Sequence, residues 1–403
     1  MLTGPSRPIK LRPGLCNFQQ PDGADCALCA KAARDRIPLD ELLKVLPAGH
    51  SSGELRYAIF RLLVATGLAV LAVTQILNTD TPAFAQDYAA AWAHWHGRSV
   101  NAPTRELLDE CWPEHGYHQL QQVRQPHPPF ATLLALPLAL LPFAAARLLW
   151  CGLSVVAIVA AWQLVRTDLV TCLATVPIWC IALVLGTHEP LLFVMIALAI
   201  VLLPRAPLLV GVTIGLSIAL KAYPVVLLAG LLIARRWRSV YAATATVILV
   251  CAASELVLGI GTTSAWLRYT SENTAHYVQS TQNSSLVRFV YSVVAFPPAA
   301  IALVLTAALI WPLRSKIQAS NPLRPLLPVA LLVSPISWRH YMGLTGLLEL
   351  GRFEQACLLL AGTLALLASM KITEPVPELF VQFPLVAVLL VLWAKSVLRD
   401  NVT

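Results

Sequence analysis

The chain has 403 residues, 57% of them hydrophobic and 12% charged, with a formal net charge of +8. So much hydrocarbon excludes a water-soluble domain and leaves a polytopic membrane protein. No basic stripe interleaved with stacking aromatics is present, so the positive balance goes with membrane topology and anionic lipid, and nucleic acid is not an expected partner.

Residues 1–57 carry eight Lys/Arg and no apolar run long enough to insert, so they read as a partly disordered cytoplasmic tail. Cys26 and Cys29 with Cys16 upstream hint at a metal site. No fourth ligand lies close by, however, and reduced thiols are the simpler reading. Residues 58–77 are apolar over the length a membrane helix needs, about 20 residues, and are expected to act as a signal anchor. The loop 78–127 holds three Arg against six acids, which places it outside the cell when Lys and Arg stay on the cytoplasmic face. Within it Tyr88, Trp92 and Trp95 fall at i, i+4 and i+7 and predict a helix lying on the membrane at headgroup level.

Six apolar runs follow, at about 128–142, 145–165, 168–185, 190–203, 207–220 and 222–234, ending at Arg235-Arg236-Trp237-Arg238. Six crossings would leave that cluster outside, so one run does not cross. The first, with Pro128, Pro129, Pro137 and Pro142, is expected to be re-entrant or interfacial. Residues 239–258 and 286–310 cross on either side of a second outer loop, 259–285. The run 325–337 rises to the outer surface, residues 342–370 form one long helix or a hairpin, and 379–397 make the last span before a C-terminal tail, 398–403. The fold class is therefore all-α, a bundle of about 10–12 spans by the length rule, with a transmembrane domain at 58–397. No internal repeat is visible, which disfavours an inverted-repeat transporter.

On this topology Asp87, His127, His188, Glu189, Lys221, Asn283, Arg339 and His340 all face outward. Ionisable groups at membrane depth are costly unless they serve a site. One carboxylate able to take a proton and several cations able to hold a phosphate suit sugar transfer from a phospholipid-linked donor. In that chemistry Asp87 is the general base, with a helix-capping role as the alternative. Lys221, between two apolar runs, holds an anion or snorkels. Asn283-Ser284-Ser285 fits a glycosylation sequon, but a hydrogen-bonding loop role is preferred. No paired-acid motif or Gly-rich phosphate loop is present, so no metal or other cofactor is required.

Five stretches in order carry a family resemblance: Gln86-Asp87-Tyr88 with His96-Gly97; His127-Pro128-Pro129-Phe130; Leu220-Lys221-Ala222-Tyr223-Pro224; Gln282-Asn283-Ser284-Ser285-Leu286 with Arg288; and Ser334-Pro335-Ile336-Ser337-Trp338-Arg339-His340-Tyr341. They resemble the C-type glycosyltransferases that use polyprenyl-phosphate sugars, in particular glycosyltransferase family 87. The resemblance implies inverting transfer of a sugar, mannose first and arabinofuranose second, to a glycolipid or lipoglycan acceptor at the outer face of the cell membrane. It implies His340 as a second catalytic residue, bridging to Asp87 or holding the leaving phosphate. Lys221, Arg339, His127 and Arg288 would bind the donor phosphate, and Tyr88, Glu189, His188, Asn283 and Trp338 the substrates. The chain departs from the family at Gly186-Thr187-His188-Glu189, where a Gly-Gln-x-Asn turn is usual, and at His127, where Tyr often precedes Pro-Pro. Both departures bear on donor or acceptor choice. A lipid-linked-sugar transporter or flippase is the competing class, and a membrane scaffold the third.

Overall fold

A computed structural model describes residues 59–64, 66–68, 70, 73–74, 82–112, 126–280, 282–294, 296–319, 321–369 and 378–398. The chain separates into Met1–Leu55 and Arg56–Thr403, and every described residue belongs to the second unit. The expected cytoplasmic tail with its three cysteines, residues 78–81 and 113–125 of the first outer loop, and residues 399–403 lie outside the described residues. The described residues of the expected first span are helical.

The architecture is all-α. Helices α1 (Pro82–Trp95) and α2 (Thr104–Cys111) come first, then the short α3 (Pro129–Ala135), α4 (Phe143–Val165), α5 (Leu169–Leu185), α6 (Glu189–Leu202), α7 (Pro207–Leu220) and α8 (Val225–Ile233). The second half comprises α9 (Trp237–Leu258), α10 (Thr262–Gln279), α11 (Leu286–Tyr291), α12 (Pro298–Ile310), α13 (Arg314–Ala319), α14 (Leu326–Val333), α15 (Arg352–Ser369) and α16 (Glu378–Leu398). Among the described residues the one extended pairing is a single bridge between Asn283 and Trp338.

The apolar helices differ in length. Phe143–Val165, Trp237–Leu258, Pro298–Gln318 and Phe380–Leu398 are each long and apolar enough to cross a membrane, whereas α5, α6 and α7 are apolar but only 17, 14 and 14 residues long. The proline-rich run 128–142 breaks into α3 and one turn of 3-10 helix at Leu138–Leu140, as its prolines require. The ambiguous stretch 342–370 resolves into a nine-residue 3-10 segment, Arg339–Leu347, followed by α15.

Sequence dictates the closest helix pair. Gly211 and Gly215 lie one turn apart on α7, and a Cβ on them would come within 2.3 Å of the Ser239 carbonyl and 2.6 Å of the Ala243 carbonyl of α9. Only hydrogen fits there, so the two backbones pack directly, the arrangement that small residues four apart permit between membrane helices.

Polar groups gather at the two ends of the helices. At one end Asp168 caps α5, its carboxylate accepting from the Thr171 amide at 2.9 Å. Near it Arg61 donates to Gln163 and to the Thr167 carbonyl, and Glu354 of α15 pairs with Lys395 of α16. The other end of α5, about 26 Å away at 1.5 Å per residue, stops at Gly186 in the left-handed conformation, φ 69°. The candidate site starts there.

Helix α1 differs from the expected surface helix. Phe84, Ala85, Tyr88, Ala89, Ala90, Ala91 and Ala93 are all buried, while Trp95 at its end is exposed. Alanine on every face lets neighbours approach from all sides, so the helix sits inside the protein. Phe84 and Tyr88 pack against Phe143, and Phe84 also stacks on Trp150.

Candidate active site

Gly186 has two reasons to be glycine. Its φ is positive, and a Cβ on it would lie 2.6 Å from Phe84 Cβ, so α1 docks directly on the turn that begins α6. Trp150 Nε1 donates to the Gly186 carbonyl at 3.0 Å and pins the turn from α4. Three residues after Phe84 comes Asp87, and two residues after Gly186 comes His188, so this docking brings the two side chains together.

The Asp87 carboxylate is 1% exposed. His127 Nδ1 reaches both of its oxygens at 3.0 Å, and His188 Nε2 reaches Oδ2 at 3.1 Å. The two rings meet edge to face, centroids 4.8 Å apart. Burial works against this carboxylate, but the imidazoles of His127 and His188 prevail and hold its pKa below the ordinary carboxylate range. Burial pushes His127 the other way, down to about 4, in spite of the opposing pull of Asp87. At neutral pH the pair is therefore a carboxylate beside a neutral ring. One ligand atom from each of Asp87, His127 and His188 can be chosen so that all three lie within 4.8 Å of one another, a donor set able to hold a metal ion.

A second buried carboxylate stands beside the first. Glu189 is fully buried, with Lys221 Nζ at 3.7 Å and His340 Nε2 at 3.6 Å. Lys221 follows the last turn of α7 and donates to Tyr341 Oη at 3.2 Å, and Tyr341 stacks on Tyr223 at 5.1 Å. Burial lowers His340 to about 4 against the pull of Glu189. His340 thus turns to Glu189 and does not bridge to Asp87, the first of the two roles expected of it beside holding the leaving phosphate; the cause is Glu189 itself, set by the same turn that presents His188.

These groups adjoin a cavity of about 680 Å³. His127, Lys221, Tyr223, Trp338, His340 and Tyr341 line it, whereas Asp87, His188 and Glu189 are one layer behind. The rest of the lining includes the apolar Val225, Val226, Ala302, Leu303 and Val333, of which Val225 and Leu303 are also 50% and 72% exposed on the outside of the protein. One wall is α10, which contributes Trp266, Tyr269, Thr270, Thr274 and Tyr277. The sequence reading treated 259–285 as a loop and missed this wall. Its lining positions, 266, 269, 270, 274 and 277, share one helical face, and that period was the available clue.

Other expected site residues do structural work. Tyr88 donates from Oη to the Leu141 carbonyl at 2.8 Å and sits in the aromatic core, away from the cavity. Asn283 donates from Nδ2 to the Val278 and Pro335 carbonyls, and its Oδ1 accepts from the Ser285 and Ser337 amides. It is the tie that fixes the 334–341 stretch, in keeping with the loop role preferred from sequence. Arg288 donates to the Asn283 carbonyl and lies over Phe289. Arg339 is half-buried at the start of the 3-10 segment. Neither arginine is on the cavity wall among the described residues, so a phosphate-binding role for either needs a side-chain rearrangement.

Both positions where the chain departs from the family pattern, 127 and 187–189, surround the two buried carboxylates. The family model described as glycosyltransferase family 87 matches residues 126–369, a segment that holds every expected site residue except Asp87 and Tyr88. No curated protein and no solved structure matches the chain. With that match over more than half its length, and with helices of membrane-spanning length and composition, the chain belongs to glycosyltransferase family 87 and is a membrane glycosyltransferase.

Proposed function

We propose that the enzyme moves a sugar, mannose in the first instance, from a polyprenyl-phosphate donor to a glycolipid or lipoglycan acceptor at the outer face of the cell membrane, with inversion. The observation that carries this reading is the lining of the cavity, which combines the charged and hydrogen-bonding His127, Lys221, His340 and Tyr341 with apolar residues that include the exposed Leu303 and Val225. A donor with a phosphate head and an isoprenoid tail fits both kinds of lining at once. A soluble nucleotide sugar would leave the apolar lining unmatched.

In this reading the acceptor hydroxyl reaches in past the His127 ring and gives its proton to Asp87 as its oxygen bonds to the anomeric carbon, and the carbon–phosphate-oxygen bond breaks with its electron pair leaving on the phosphate. His127 is the last side chain between the cavity and Asp87, and with His188 it holds the carboxylate in place. Lys221 takes up the charge of the departing phosphate. His340, set by Glu189, and Trp338 contact the sugar. The transporter reading calls for ionisable groups spread through the membrane depth. Instead, the ion pairs described above gather at the two ends of the helices.

The test is transfer by purified protein in detergent, given polyprenyl-phosphate mannose or polyprenyl-phosphate arabinose and a phosphatidylinositol mannoside, with products read by mass. Wild type is expected to add one sugar, and Asp87→Asn to lose about 10²–10⁴ in kcat, the range of a general base, while still binding donor. Full turnover by the variant would remove Asp87 from this role, and no product with either donor would favour the transporter.

A further inference from the structure

We infer that Asp87, His127 and His188 form a binding site for one divalent first-row transition-metal ion, zinc in the first instance. Two imidazoles and one carboxylate are the donor set that such ions take while keeping positions open for substrate. The spacing is close. His127 Nδ1 and His188 Nε2 stand 3.0 and 3.1 Å from Asp87 Oδ2, and ligands held ~2.1 Å from a tetrahedral ion are ~3.4 Å apart, so each ring need move back by only a few tenths of an ångström. The widest separation in the triad is within 4.8 Å, a gap that side-chain torsions close.

Hydrogen bonding alone accounts poorly for His188. Its ring is 1% exposed, one nitrogen faces Asp87, and the other, Nδ1, is buried with no hydrogen-bond partner among the described residues. Burying a whole imidazole to supply one hydrogen bond is costly; a bond from Nε2 to a metal would offset the burial of the ring, but it leaves Nδ1 without the acceptor that a ligating histidine usually has. Charge points the same way. The buried formal charges at this end, Asp87, Glu189 and Lys221, sum to −1, an excess of negative charge that attracts a cation.

The three ligands come from separate parts of the chain: α1, the turn before α3, and the turn between α5 and α6. His127 is the ligand on the cavity wall, so an ion held here has its open side toward the substrate. There it would lower the pKa of a bound hydroxyl, with Oδ2 of Asp87 on the ion and Oδ1 left to accept the proton. This consequence rests on the proposed function, whereas the site itself does not.

The experiment is metal analysis and Co²⁺ titration of the full chain in detergent, wild type beside His188→Ala and His127→Ala. The expected result is about one equivalent of tightly held ion per chain, a Co²⁺ d–d spectrum with no thiolate charge-transfer band, and affinity at least ~100-fold weaker in each variant, beyond the loss of a mere supporting partner. Wild type that binds neither Zn²⁺ nor Co²⁺ overturns the site. So does undiminished binding by both variants, or a thiolate band, which would move the ion to the cysteines of the N-terminal tail. The spectrum is read on wild type and does not depend on the variants folding. Sugar transfer in the same preparations separates the two claims. Metal bound without transfer sinks the donor reading and keeps the site; transfer without metal does the reverse.

Discussion

Lys221 shows how a single buried charge links structure to chemistry. Its ammonium is held by Tyr341 and by Glu189 at the wall of the cavity, where a phosphate would find it. Lys221→Ala is expected to raise KM for the donor by about 10–100-fold, the worth of a charge-assisted hydrogen bond, with a smaller effect on kcat. Steady-state kinetics with the donor varied will show whether the loss falls on KM as stated. His340 gives a pH prediction. Its imidazole is lowered from 6.5 to about 4 in the fold, so between those values the unfolded chain binds more protons than the native one. Stability therefore falls as pH drops below about 6.5 and continues to fall toward 4. Thermal unfolding at pH 7 and pH 5 should show this drop, and His340→Gln should reduce it; an equal drop in the variant would assign it to other groups. Asp87, Lys221 and His340 were legible from sequence because an ionisable group in an apolar chain calls for an explanation. Their pairing was not, since residues 87, 188 and 340 meet only through the fold.

Among the elements, the stretch 334–341 is held by one side chain. Asn283 bonds four backbone groups, and the Ser284 amide adds a bond to the Ser337 carbonyl at 2.7 Å. Asn283→Ala strands buried donors and acceptors and is expected to cost about 3 kcal/mol or more, since each buried group left unsatisfied costs about 1–3 kcal/mol. Differential scanning of the purified variant should report the loss as a lower Tm, and an unchanged Tm would show that the stretch is held by other contacts. Behind His340 the 3-10 segment runs against Trp179, whose ring lies 2.7 Å from where a Cβ on Gly343 would be. The apolar helices and most of their boundaries could be read from apolar runs and prolines, as in the run from Pro128 to Pro142, whereas the more polar α10 could not. Nor could the status of α1. Its aromatic spacing matches an interfacial helix, and only packing against Phe143 and Trp150 shows that it is buried.

At the scale of the whole molecule, helices of unequal length surround a cavity that joins polar side chains to an apolar lining with exposed residues at Leu303 and Val225. In the proposed function that exposed side faces lipid and is where a long isoprenoid tail would leave the protein. Leu303→Trp, a substitution at an exposed rim position, is expected to raise KM about tenfold for a long-chain polyprenyl-phosphate sugar, the scale of one misplaced apolar contact. A short-chain analogue should be affected far less. Equal effects on both donors would mean that the tail leaves elsewhere.

By itself the sequence determined the membrane class, the all-α fold, the succession of apolar helices and the family, because hydrocarbon content, helix length and ordered motifs are properties of the chain alone. It also identified Asp87, His127, His188, Glu189, Lys221 and His340 as residues needing a partner. Tertiary structure alone decided who the partners are: His127 and His188 for Asp87, and Lys221 and His340 for Glu189. The physical reason is that ion pairs and ligand sets depend on distances of a few ångströms between segments far apart in sequence. Those distances are set by where Gly186 lets α1 approach, information that no local pattern of residues contains.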